Sequence, residues 1–130
     1  MRGPLVVPRS LGGVVPAPRP TRAEFFAGAV QASLARISQT CPAVLDRVVV
    51  GIEDVPEQQS FIEDRVPLTS AQDGDQHHPA KVVVFRRPLE IRAATPEGLV
   101  ILVHRTLVEQ LSALTGFPVD VIDPEAGRED

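Results

Sequence analysis

Tryptophan and tyrosine are absent from this 130-residue chain, and cysteine and methionine occur once each. A single cysteine cannot form an internal disulfide, so Cys41 gives no sign of a secreted, disulfide-stapled scaffold. With three histidines beside it, any metal site has very few imidazole or thiolate ligands to draw on. No apolar run approaches the roughly 18 residues needed to span a bilayer. The apolar pieces Leu5–Val7 and Leu11–Val15 are short and separated by Pro8 and Arg9. A secretory signal needs about 7–15 unbroken apolar residues, so none is expected. There is no Gly-rich phosphate loop and no G-x-S-x-G nucleophile turn. These absences predict a soluble, cytoplasmic protein with no membrane partner.

Charge is present but unevenly spread. The formal net charge is -4, from 13 Lys and Arg against 17 Asp and Glu. Residues 1–23 carry Arg2, Arg9, Arg19 and Arg22 with no acid, so this segment is +4 and the remainder is -8. The same segment holds Pro4, Pro8, Pro16, Pro18 and Pro20, which cannot sustain a helix or a central strand. It reads as a disordered arm over residues 1–20. The basic arm lacks interleaved aromatics and adjoins an acidic body, so no nucleic-acid partner is expected.

The body, residues 21–124, has the length of one domain. Thr21 and Glu24 have capping-box spacing, and Phe26, Val30, Leu34 and Ile37 form one helical face. Pro42 ends this helix near Thr40 and can open a short helical turn through Leu45. Val48–Ile52 reads as a strand, and a weaker strand is expected around Val66–Leu68. Ser70–Pro79 reads as a loop. Lys81–Phe85 is the strongest strand, its continuous apolar run implying a central position; Arg86-Arg87-Pro88 should end it. A second long helix opens with Thr95 as cap, Pro96 at the first position and Glu97 behind it. Val100, Val103, Leu107, Leu111 and Leu114 make its stripe, and Gly116 and Pro118 end it. The segment from Asp120 to Asp130 is acidic and expected to fray, with residues 125–130 as a tail. The order of elements gives an α+β domain with a small sheet and two main helices.

Few residues offer chemistry. His104 lies mid-helix between Ile101 and Val108, and the plain expectation is a partly buried imidazole with one hydrogen bond. A helical zinc motif, His-Glu-x-x-His, needs a second histidine at i+4. That position is Val108, and Arg105 occupies the place of the general-base glutamate. Glu109, at i+5, lies about 140° past a full turn and cannot share an ion with His104 on a regular helix. An Arg105–Glu109 surface ion pair is expected instead. Asp73, Asp75, His77 and His78 could surround a metal but read more simply as a polar loop, with no complete calcium-loop pattern. Glu53 and Asp54 point to opposite faces of a strand and do not converge. Cys41 has no base beside it.

Several segments, taken in order, resemble the small bacterial zincin-like metallopeptidases, the minimal zincins. They are the helix with Phe26 and Val30, then Val50-Gly51-Ile52-Glu53-Asp54-Val55-Pro56, and Val66-Pro67-Leu68-Thr69. Lys81–Phe85 with Arg86-Arg87-Pro88-Leu89-Glu90 follows, and last Leu102-Val103-His104 through Leu114-Thr115-Gly116. The resemblance covers roughly residues 24–124 and implies a mini-zincin α+β fold, a small mixed sheet packed with two main helices, the later one bearing zinc. Where the family pattern is His-Glu-x-x-His, this chain reads His104-Arg105-Thr106-Leu107-Val108. The sequence Val108-Glu109-Gln110 is similar to a divergent actinobacterial-type branch. The expectation is therefore a family member that has lost zinc-protease catalysis, with no catalytic residue, no cofactor, and a binding or scaffold role toward a protein or peptide. The alternative is a divergent metal-dependent peptidase holding zinc through His104 and Glu109, or through carboxylates such as Asp120 and Asp123.

Overall fold

A computed structural model of the chain describes residues 19–56 and 67–125. Residues 1–18 of the expected arm and 126–130 of the expected tail lie outside the described residues, as does Val66. The elements run α1 (Arg22–Thr40), a 3-10 turn (Pro42–Leu45), β1 (Val48–Glu53), β2 (Thr69–Gln72), β3 (Ala80–Phe85), α2 (Arg86–Arg92), α3 (Pro96–Thr115) and α4 (Val119–Ile122). Among the described residues, four helices and a three-stranded mixed sheet make an α+β fold.

Helix α1 begins where its cap chemistry dictates. The Glu24 backbone N–H donates to Thr21 Oγ1 at 3.0 Å, and the Glu24 carboxylate accepts from the Thr21 N–H at 2.8 Å. This satisfies two of the amides that a helix start leaves unpaired. In α3, Thr95 Oγ1 accepts from the Gly98 N–H at 2.9 Å, and Gly116 closes the helix at φ +86. A left-handed residue there favours glycine because a Cβ would crowd the following carbonyl.

Strand β3 is central, in the order β1-β3-β2, parallel to β1 and antiparallel to β2. Val82 and Val84 join the helix-side core, while Val83 and Phe85, on the opposite face by alternation, are also buried. The core lies between this sheet and the packed pair α1 and α3, with Phe26, Ile37, Leu107 and Leu111 fully enclosed.

Three expectations need correction. The second described strand is Thr69–Gln72, with Pro67 and Leu68 outside it, so Ser70–Gln72 are strand rather than loop. Its residues are small or polar and exposed from Ser70 onward, and pairing with β3 holds them extended. Arg86-Arg87-Pro88 does not merely end β3 but opens α2 directly. Pro88 sits in the first turn, where its missing N–H costs no helical bond. The segment after Asp120 does not simply fray: it continues α4, and Ile122 is fully buried.

The β1 and β3 ends are fastened together. The Arg87 N–H donates to the Asp54 carbonyl at 2.9 Å, and Arg86 Nε donates to the Asp54 carboxylate at 3.0 Å. Arg86 also donates to Glu90, one turn along α2, at 3.1 Å. Asp54 thus serves a junction, and its pKa is lowered chiefly by the Arg86 hydrogen bond and charge.

Candidate functional site

Three segments converge on His104. In α1, Ser33 sits three residues after Val30 and four before Ile37, on the apolar face, and is only 4% exposed. Arg36 and Thr40 lie three and seven residues further on, along one flank. In α3, His104 follows Val100 by four residues and precedes Val108 by four, so it faces α1 beside an apolar wall. Beyond Gly116 and Pro118 the chain turns back, and α4 brings Asp123 to the same place.

The imidazole is held at both ends. Ser33 Oγ lies 2.7 Å from Nδ1, and Asp123 Oδ2 lies 2.6 Å from Nε2. Asp123 is 2% exposed and the His104 side chain 14%. Burial alone would raise the pKa of Asp123. The His104 hydrogen bond, the Glu125 N–H at 3.0 Å, and the charges of Arg36 and His104 outweigh it, so the pKa is lowered and the carboxylate is ionised. An ionised carboxylate only accepts, so Nε2 carries a proton. Nδ1 then accepts from the Ser33 hydroxyl in a neutral ring, or donates to it in a cation. In the neutral ring the one lone pair, on Nδ1, faces the Ser33 hydroxyl, and in the cation both nitrogens carry protons.

Arg36 completes the array. Its Nη2 lies 3.1 Å from Asp123 Oδ2 and 3.2 Å from Glu125 Oε1, and its side chain is 42% exposed. The Thr40 hydroxyl donates to the Ile122 carbonyl. Over the array lies a hollow of about 190 Å³, walled by Val100, Ile101, Val108 and Val119 and rimmed by Arg36, Arg105 and Glu109.

His104 therefore makes two hydrogen bonds, where one was expected. Glu109, the other metal candidate, borders the same hollow but is exposed, while His104 is committed to Ser33 and Asp123. The expected Arg105–Glu109 ion pair does not form among the described residues, and both side chains are exposed. Of the tail carboxylates, Asp123 reaches His104 and Asp120 stays exposed. Cys41 is buried.

The Asp73–His78 cluster is a tight turn. Asp75 Oδ1 accepts from the His77 and His78 N–H groups, each at 2.8 Å, and from His78 Nδ1 at 3.2 Å. The two backbone bonds, with the side-chain bond after them, lower the pKa of Asp75. Gly74 is required there, since a Cβ would lie 2.5 Å from the Ala80 nitrogen.

The serine, arginine and second carboxylate of the array were missed in the sequence. A signal existed for Ser33: it is a polar residue on the buried stripe of α1. Asp123 was named among the tail carboxylates, as a candidate metal ligand rather than as the partner of His104.

A zinc ion with an activated water needs three protein ligands. Helix α3 contains one histidine, so no register of His-Glu-x-x-His fits it. Among the described residues no three His, Cys, Asp or Glu side chains gather into a group able to hold a metal ion. Among the described residues, then, the donor set falls short of the three ligands a catalytic zinc needs. Also among the described residues, no helix is long and apolar enough to cross a membrane.

Residues 45–127 match the family described as zincin-like metallopeptidase. No curated protein matches the chain.

Proposed function

Since the chain belongs to the zincin-like metallopeptidase family, we propose that it is a member without zinc-protease catalysis, acting as a binding or scaffold domain for a protein or peptide. One observation carries this reading: both nitrogens of the single imidazole on α3 are taken by Ser33 and Asp123. Peptide hydrolysis by zinc requires an open coordination position, a ligand set and a general base. Here Arg105 and Val108 stand where the base and the second ligand would be, and Val108 is buried among apolar neighbours.

The test is elemental analysis of the purified protein, with calorimetric zinc titration and a peptide-library cleavage assay. The expected result is no stoichiometric zinc and no chelator-sensitive cleavage. Stoichiometric zinc that disappears in His104→Ala would overturn the reading in favour of a divergent peptidase ligating through His104.

A further inference from the structure

We infer that Ser33, His104 and Asp123 form a buried hydrogen-bonded strut that fastens the C-terminal segment 117–125 across α1 and α3. A metal ion can tie distant segments together through its ligands. Here a proton on Nε2 and a serine hydroxyl make that connection.

The segment leaves α3 through Gly116, at φ +86, and Pro118, and has only one turn of helix of its own. A four-residue helix is far too short to persist alone. Ile122 supplies an apolar plug, fully buried between the long helices, but a lone plug does not define an orientation. Direction comes from the polar bonds. Asp123 receives His104 from α3, Arg36 from α1 and the Glu125 N–H from its own segment. Thr40 adds a bond to the Ile122 carbonyl. Ser33 orients the far edge of the imidazole at 2.7 Å, so the ring cannot turn away from Asp123. Apart from the local Glu125 bond, each contact joins residues at least 19 apart in sequence, and all of these depend on the same docked pose. The strut goes beyond the loss of catalysis, because it assigns the retained histidine a mechanical role independent of any partner.

Amide hydrogen exchange followed by NMR tests it. Val121, Ile122 and Asp123 donate their N–H groups within the segment, to Pro118 and Val119, and report its docking. Ser33→Ala deletes one oxygen in a helix interior where alanine is the better helix former, so the fold is kept. Exchange at the three amides should rise about five-fold in Ser33→Ala and more than about ten-fold in Asp123→Asn. Val82–Val84 in the central strand should keep their wild-type rates. Wild-type exchange of the three amides in either variant overturns the strut. Nitrogen spectra of His104 give a separate reading. Protonated Nε2 that persists with equimolar zinc supports the strut, and replacement of that proton by zinc overturns it. Cleavage and zinc content are measured apart, so failure of the strut leaves the proposed loss of catalysis to its own assay.

Discussion

Asp123 is nearly sealed from water and still ionised, which makes it the residue most exposed to pH. Its folded pKa lies below the ordinary carboxylate value of about 3.9. Its contribution to stability is therefore fully present above that ordinary value and is lost as pH falls through the folded one. Urea midpoints should hold from pH 7 to about pH 5 and decline below pH 4, and Asp123→Asn should flatten part of that decline. An equally steep decline in Asp123→Asn would assign it to other groups. The exposed Asp54 and Asp75 share the sign, but solvent screens their share. Ser33 illustrates what can be read locally: a serine on a buried stripe asks for a partner, although the sequence does not say which.

At the scale of the element, the two long helices were legible and β2 was not. Caps at Thr21 and Thr95, Pro96 at the first position and Gly116 at the end act through neighbouring backbone, so local sequence announces them. Gly116→Ala tests this directly. A Cβ there meets nothing within 4 Å, so its cost is the positive φ alone. Chemical denaturation should show a loss of about 1 kcal/mol. Thr95→Ala should cost about 1 kcal/mol as well, by leaving the Gly98 N–H without its acceptor. Strand β2, with the sequence Thr-Ser-Ala-Gln, has no such local signature and is extended because β3 pairs with it. Helix α2 was hidden by Pro88, which stops a strand and suits a helix's first turn equally well.

At the scale of the molecule, the core is a single apolar body between the sheet and the α1–α3 pair, and Leu107 lies within it. Leu107→Ala should lower unfolding free energy by about 2–5 kcal/mol, the spread reflecting how far the cavity collapses. Because cohesion resides in that core and in the His104 array, excess chelator should leave the thermal midpoint unchanged. A chelator-induced drop would show a metal contributing to the fold.

Sequence by itself determined the limits of the two long helices, the central apolar strand, the α+β class and the absence of a His-Glu-x-x-His motif. Periodicity, caps and ligand spacing all act over a few residues. Only the tertiary structure decided the partners of His104. Ser33 and Asp123 lie 71 and 19 residues away from it, and a hydrogen bond of that span leaves no mark on local pattern. The folding of α1, α3 and the returning segment around one core brings them together, and turns an isolated helical histidine into the centre of a buried array.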